Sequence, residues 1–170
     1  MSCAGTLILG WGNPGRLDDG LGPAFAEALE KMDLPGVTVD ADYQLQIEDA
    51  SEVASFDRVV FVDADRAGAE PFWLRRIHPS PRSGSWRSFS THSVTPGAVL
   101  TMARELFDAE PEAWLLGIRG CVFCDFGEQL SDRAGLNLDQ ALEFVSSALR
   151  EGEIQASDPV EELPADPPRL

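Results

Sequence analysis

Short apolar runs alternate along the chain with longer segments in which apolar residues recur every three or four positions. The run TLILG at 6–10 predicts a buried strand that ends in glycine. The run RVVFVD at 58–63 is the strongest strand signal, because its apolar residues are mostly β-branched or aromatic. Further strands are predicted at 37–39, 72–77 and 113–119. The segment 72–77 mixes apolar residues with arginine, which is typical of an edge strand.

Four segments have a helical pattern, with apolar residues on one face. The first begins near Asp19, where Asp18 and Asp19 suit helix capping and the helix dipole, and it ends at Pro35-Gly36. The second spans 46–55, and the third has Pro96 in its first turn. The apolar faces of the first, third and last helices consist of Leu21, Phe25, Leu29 and Met32; of Val99, Leu100, Ala103, Leu106 and Phe107; and of Leu138, Ala141, Leu142, Val145 and Leu149.

This alternation of strands and helices predicts an α/β fold, a three-layer sandwich with a mostly parallel, doubly wound sheet and helices on both faces. Residues 1–150 are predicted to form this single domain. Residues 151–170 hold four prolines and six acids without apolar periodicity, and are predicted to be a disordered tail. In such sheets ligands bind outside the carboxyl ends of the strands, so strand-ending residues are the first to consider for function.

The charge of the chain limits its partners. There are 29 acidic and 13 basic residues, for a net charge of −16. Such a chain repels phosphate backbones and anionic membranes, so no nucleic-acid or membrane partner is expected. No apolar run of 18 residues is present and the amino terminus lacks a basic region, so the expected location is the cytoplasm. Solubility alone is a sufficient explanation for the charge.

The three cysteines give little indication of chemistry. Cys121 and Cys124 form one C-x-x-C pair, without the second pair or the histidines that a structural zinc site needs. We therefore expect both to be small apolar residues of a buried strand.

The segment GWGNPG at 10–15 matches the G-x-G-x-x-G pattern of dinucleotide-binding loops. A pyrophosphate requires a positive helix amino terminus after the loop, but Asp18 and Asp19 occupy that position here. Pro14 also removes one N–H donor from the loop. The glycines are better explained by a tight turn and by open space above the sheet.

A cation suits these carboxylates better. Asp63 ends a central strand at the same predicted edge, and His92 lies in a loop just before a helix. Two carboxylates and an imidazole can bind a divalent ion such as nickel or zinc and leave positions open for water or substrate. Each residue also has a simpler interpretation: Asp19 as a helix cap, Asp63 as a loop cap with Asp65 in the functional role, and His92 as a surface histidine. The other histidine, His78, has no acidic residues beside it in the sequence, which favours a structural role.

Several segments of the sequence resemble those of a known family. GWGNPGRLDDGLGP is similar to the amino-terminal signature of the nickel–iron hydrogenase maturation proteases, roughly G-x-G-N-x-x-x-x-D-[DE]-G-x-G. Further segments look like family segments in the family's order: YQLQIEDA, FDRVVFVDADRAG, STHSVTPGAVLTMA, LLGIRG and FGEQLS. The resemblance covers about residues 5–150. It implies a doubly wound α/β fold and an endopeptidase that removes the carboxy-terminal extension of the hydrogenase large-subunit precursor after nickel insertion.

The resemblance also implies that Asp19, Asp63 and His92 are the metal-binding and catalytic residues. Asp19 stands where some members have glutamate, which changes the reach of the carboxylate. The expected metal is nickel carried by the precursor, with other divalent ions able to bind in vitro, and the protein is expected to act as a monomer. Two alternatives stay open: a metal-binding chaperone that does not cut the precursor, and a peptidyl-tRNA hydrolase, which shares G-x-G-N-P-G. The second would continue with a tyrosine and a histidine–asparagine pair, where this chain has RLDDG.

Overall fold

The computed structural model describes residues 3–80 and 94–157 of the chain. Five strands are present in this part: β1 (Cys3–Trp11), β2 (Val37–Asp42), β3 (Phe56–Asp65), β4 (Phe72–Ile77) and β5 (Glu112–Arg119). Four α-helices accompany them: α1 (Leu21–Glu30), α2 (Asp49–Val53), α3 (Pro96–Phe107) and α4 (Asp132–Glu151).

The strands form one sheet in the order β2-β1-β3-β5-β4. All neighbours pair in parallel except β4, which runs antiparallel to β5 at one edge. The connection from β1 leads to β2 on one side, whereas β3 lies on the other side of β1. The carboxyl ends of β1 and β3 therefore border the switch point at which doubly wound sheets bind ligands.

Helices cover both faces of the sheet. The core on one face is formed with α1 and α4, around side chains such as Phe25, Val62 and Val145. The core on the other face includes residues of α2 and α3, such as Val53 and Val99, packed around Phe61. The predicted three-layer α/β sandwich is confirmed, as is the edge position of 72–77.

The start of α1 differs from the prediction. A 3-10 helix (Leu17–Gly20) precedes it, and α1 begins at Leu21 with Gly20 at the N-cap. Asp18 and Asp19 lie in the 3-10 helix, so neither carboxylate caps α1. Their side chains bind backbone groups elsewhere, which competes with capping.

Three residues assigned to apolar helix faces are exposed instead. Met32 lies beyond the end of α1, and Leu106 and Phe107 lie in the last turn of α3. The apolar periodicity in the sequence thus extends further than the buried face of each helix.

Two glycines let α1 approach the sheet closely. A Cβ atom on Gly22 would lie 2.2 Å from the carbonyl oxygen of Trp11 and 2.8 Å from that of Val62. One on Gly10 would lie 2.4 Å from the carbonyl oxygen of Gly22. The first turn of α1 thus rests directly on the backbones of β1 and β3.

Gly22→Ala should therefore lower the free energy of unfolding by about 3 kcal/mol, because the backbone atoms that it meets belong to the central strands and cannot yield. Urea denaturation followed by circular dichroism measures this. Gly135→Ala is the matched control, since nothing lies within 4 Å of its added Cβ, and alanine should stabilise α4 by up to about 1 kcal/mol. Equal stability of the two variants would contradict the close packing of α1.

Packing continues past residue 150. Ile154 is buried in the core beside α4. The hydroxyl of Ser157 accepts a hydrogen bond from the Leu74 amide at 2.8 Å, and the Ser157 amide donates one to the Leu74 carbonyl. The rest of the predicted tail, 158–170, lies outside the described residues. Within the described residues, no helix is both long enough and apolar enough to cross a membrane.

Candidate functional site

Asp63 lies near the carboxyl end of β3, beside Gly117 of β5. Side chains alternate between the faces of a strand, so Asp63 shares the face of Phe61, on the α2 and α3 side. It is half-buried, and among the described residues its carboxylate accepts one hydrogen bond, from the Ala64 amide at 2.8 Å. One carboxylate oxygen is thus left without a protein partner in the described part of the chain.

Asp19 is held above the end of β1 by the glycine-rich turn. Gly12 has a φ of 145°, and a Cβ atom there would lie 2.0 Å from the carbonyl oxygen of Asp19. The Asn13 amide donates a hydrogen bond to the Asp19 carboxylate at 3.0 Å. This loop amide is therefore bound by a carboxylate, which is consistent with the argument against a phosphate-binding role for the turn.

The pKa of Asp63 depends on its burial and on the charges around it. The pKa of Asp63 is raised to about 7, mainly by burial and additionally by the nearby charges of Asp19 and Asp65, against the lowering effect of the Ala64 hydrogen bond and of Arg66. Two carboxylates that repel each other at the end of a strand form a site where a cation is favourable.

The raised pKa of Asp63 predicts a pH-dependent stability of the metal-free protein. The pKa of Asp63 is about 7 in the folded chain against an ordinary value of 3.8. The folded state therefore binds more protons between these values, and its stability falls as pH rises from about 4 to about 7. Since Asp63 is only half-buried, solvent screens part of the penalty. Asp63→Asn should raise the free energy of unfolding by about 2 kcal/mol near pH 8 and change it little near pH 4.

Urea denaturation at both pH values, in the presence of a chelator, measures the effect. Asp139→Asn serves as the control, because Asp139 is exposed on α4, and it should change the stability by less than about 0.5 kcal/mol at either pH. A loss of stability for Asp63→Asn near pH 8 would contradict the raised pKa of Asp63.

Asp65, the competitor of Asp63, is occupied by other contacts. Its carboxylate accepts the indole N–H of Trp73 at 2.5 Å and the amide of Ala67 at 3.1 Å. These bonds fix the turn after β3 against β4. Asp65 thus has structural partners on both oxygens, and Asp63 is the better candidate for binding an external group.

Asp18 has a role that the sequence did not suggest. It is fully buried, and its carboxylate accepts hydrogen bonds from the amides of Cys121, Val122 and Ser131 at 2.7–2.8 Å and from the Ser131 hydroxyl at 2.7 Å. Burial raises the pKa of Asp18, but these hydrogen bonds outweigh it and the pKa is lowered. Asp18 therefore anchors the loop 120–131, which follows β5, beside the site.

The prediction for the two cysteines was wrong. Cys121 and Cys124 are free thiols, and both are exposed on the loop that Asp18 anchors. The apolar residues after Gly120 do not continue β5, because the amides of Cys121 and Val122 bind the Asp18 carboxylate instead of a neighbouring strand.

His92, the third predicted member of the site, lies outside the described residues. Within residues 3–80 and 94–157, no three His, Cys, Asp or Glu side chains are grouped so that they could hold a metal. Val94, two positions after His92, packs against the core on the Asp63 side of the sheet. The structure thus brings Asp19 and Asp63 near each other, and the full trio stays a prediction.

Comparison with known proteins bears on the fold. No protein-family model matches the sequence, and no curated protein matches it significantly. Among solved structures, the [NiFe] hydrogenase maturation protease HycI from Thermococcus kodakarensis KOD1 is similar, with a TM-score of 0.63, 24% identity, and coverage of 86% of this chain and 92% of that one. The hydrogenase maturating endopeptidase HybD from E. coli gives a TM-score of 0.65 at 22% identity, covering 89% and 96% of the two chains.

This chain has the fold of the hydrogenase maturation proteases. A hydrogenase 2 maturation peptidase from Thaumarchaeota archaeon SCGC_AB-539-E09 is also similar, with a TM-score of 0.61 at 20% identity, covering 86% of this chain and 98% of that one. The resemblance found in the sequence is confirmed at the level of the fold. The similarity covers 92–98% of the length of these three proteins.

Proposed function

We propose that this chain is an endopeptidase of hydrogenase maturation. It removes a carboxy-terminal extension from the large-subunit precursor of a nickel–iron hydrogenase after nickel has been inserted. The proposal is supported by the fold that the chain shares with maturation proteases and by the family segments in its sequence. The single observation that carries it is the pair of carboxylates, Asp19 and Asp63, at the switch point of the sheet.

Nickel enters this proposal as part of the substrate. Asp63 has an oxygen without a partner among the described residues, and it is repelled by Asp19. Both properties suit a cation with free coordination positions, and His92 would add a nitrogen ligand of the kind that nickel accepts. The residues assigned to recognise the nickel of the precursor are Asp19, Asp63 and His92.

Recognition of the bound nickel ensures that cleavage follows nickel insertion. A precursor whose nickel contacts these side chains is held with its scissile peptide close to them, which replaces a bimolecular encounter with a positioned one. Water then adds to the peptide carbonyl, and the amine of the extension leaves with a proton. Either a carboxylate of the pair accepts the proton of that water, or the nickel of the substrate polarises it. In both routes a precursor without nickel lacks the docking contact.

The direct test uses the nickel-loaded and the nickel-free precursor as a matched pair. Each is incubated with the protein, and the mass of the precursor is measured over time. Loss of a short carboxy-terminal peptide from the loaded form alone is the expected result. Tight binding of the loaded form without loss of mass would identify a chaperone instead, and equal cleavage of both forms would exclude the recognition of nickel.

A further inference from the structure

A basic pocket lies beside the candidate site. It has a volume of about 450 Å³ and its charged lining consists of Arg66, Glu70, Arg119 and Arg133. These residues come from three parts of the chain: the turn after β3, the end of β5 and the first turn of α4.

The charge of the pocket is opposite in sign to that of the whole protein. Its three arginines and one glutamate give a net charge of +2, in a chain with a net charge of −16. Three of the 13 basic residues of the chain thus meet in one cavity. A local excess of positive charge within an acidic protein attracts an anion of limited size rather than a polyanion.

The arginines keep hydrogen-bond donors available. Arg133 forms an ion pair with Glu70 at 2.5 Å through one nitrogen. Arg119 donates to the carbonyls of Gly120 and Gly68 at 3.1 and 2.5 Å through two of its three nitrogens. These bonds fix the two side chains but use only part of their donors.

Arg66 is the least engaged of the three arginines. Its guanidinium stacks on the ring of Phe123 with 4.3 Å to the ring centroid, and it forms no hydrogen bond or ion pair with the other described residues. Stacking fixes the plane of the guanidinium and leaves the N–H groups at its edge without partners in the described part of the chain. This is the arrangement that binds a carboxylate through two parallel hydrogen bonds.

Backbone hydrogen bonds connect the residues that line the pocket with residues next to Asp19 and Asp63. Arg119 pairs with Asp65 in the register of β3 and β5, and the Gly120 amide donates to the Asp65 carbonyl at 2.9 Å. The next amide, of Cys121, donates to Asp18, which directly precedes Asp19. A group bound in the pocket is therefore held next to the site.

We propose that this pocket binds a carboxylate of the polypeptide substrate, donated by the carboxy-terminal extension of the precursor. The proposal rests on the proposed function in one respect, the identity of the polypeptide. A polypeptide offers two such groups, its terminal carboxylate and the side chains of acidic residues, and both match the planar donors of the arginines. Binding there would orient the extension relative to Asp19 and Asp63.

Short peptides test the pocket without any cleavage. N-acetyl-tetra-alanine with a free carboxy terminus, the same peptide as its amide, and an amidated peptide with one aspartate are titrated into the isotope-labelled protein. The side-chain resonances of Arg66 and Arg133 are followed by NMR. We expect the peptides with a carboxylate to bind with a Kd of about 1 mM and the neutral amide not to bind. The stronger of the two carboxylate peptides identifies the source of the group.

Arg66→Gln is the informative variant, because Arg66 supports no backbone contact. It should weaken binding of the carboxylate peptide about 10-fold, measured through the Arg133 resonance. Arg75→Gln is the matched control, since Arg75 also stacks on an aromatic ring, Trp73, at 4.4 Å, but lies outside the pocket. Equal binding of the neutral and charged peptides, or binding of inorganic phosphate alone, would overturn the proposal.

Cleavage assays with nickel-loaded precursor test the pocket and the proposed function separately. Arg66→Gln should raise KM about 10-fold, because it removes a contact that holds the extension in both the ground state and the transition state. Carboxylate binding by a protein that does not cut the precursor would reject the proposed function alone. Normal KM for Arg66→Gln, in a protein that does cut, would reject the pocket alone.

Discussion

Asp18→Ala should lower the free energy of unfolding by about 4 kcal/mol. The buried carboxylate accepts four hydrogen bonds from the loop 120–131, three of them from backbone amides. Bonds to a charged group contribute about 1.5–3 kcal/mol each, but the loop can relax and rehydrate its amides, so the sum is not reached. Urea denaturation followed by tryptophan fluorescence measures the loss.

Two further variants make this prediction sharp. Asp18→Asn keeps the shape of the side chain but turns one acceptor oxygen into a donor facing the amides, so it should cost about 2 kcal/mol. Asp125→Ala is the control, because Asp125 is exposed in the same loop and accepts one bond from the next residue, Phe126. It should change the stability by less than about 0.5 kcal/mol. Stability of Asp18→Ala within 1 kcal/mol of the unchanged protein would contradict the anchoring role.

The second large effect is expected in catalysis. Asp63→Asn and His92→Ala should each reduce cleavage of nickel-loaded precursor by about 1,000-fold, because each removes a ligand or proton acceptor that the proposed reaction needs. The rate of appearance of mature large subunit, followed by mass spectrometry, measures this. Since Asp63→Asn removes a repulsion, it should lose activity without losing stability.

Asp65→Asn is the control that separates the two carboxylates of β3. Both oxygens of Asp65 bind groups of the protein itself, Trp73 and Ala67. Its replacement should therefore reduce cleavage by less than about 10-fold, through a small shift of the turn. A larger loss for Asp65→Asn than for Asp63→Asn would reverse the assignment.

The fold followed from local patterns because the strongest signals were also local. The run RVVFVD gives the strongest strand signal, and β3, which contains it, is the central strand of the sheet. The mixture of apolar residues and arginine in 72–77 indicated an edge, and β4 lies there. In both cases the residue types within the segment indicate whether the strand lies in the centre or at the edge of the sheet.

The role of Asp18 could not be predicted in this way. Its hydrogen-bond donors lie 103 to 113 positions further along the chain. A sequence pattern shows two adjacent carboxylates and a helix start, for which capping is the ordinary interpretation. Only the tertiary structure shows that Asp18 is buried and Asp19 half-buried, and hence that one is structural and the other available.

The placement of the two carboxylates was predicted to the extent that the sheet determines it, and their role in function stays a prediction. The rule on strand ends indicated Asp63, and the turn after β1 indicated Asp19. The basic pocket was missed because Arg66, Arg119 and Arg133 are ordinary surface arginines in the sequence, and their meeting depends on how α4 packs beside β5. The sequence did contain one indication of the pocket. The chain has 13 basic residues against 29 acidic ones, and three of its arginines lie near strand or helix ends.

The acidic residues at the edge strand β2 affect how the protein associates with other copies of itself. Most of its residues are exposed, and it carries Asp40 and Asp42 at the end of the sheet. Burial raises the pKa of nearby Asp49, and the charges of Asp42 and Asp40 add to this; burial also raises the pKa of Glu52, with a further contribution from Asp40. These shifts indicate a dense local negative charge. An edge strand of a second molecule that approached β2 would meet like charges, which opposes intermolecular β-sheet growth. Acidification, by neutralising these carboxylates, should make self-association through this edge easier.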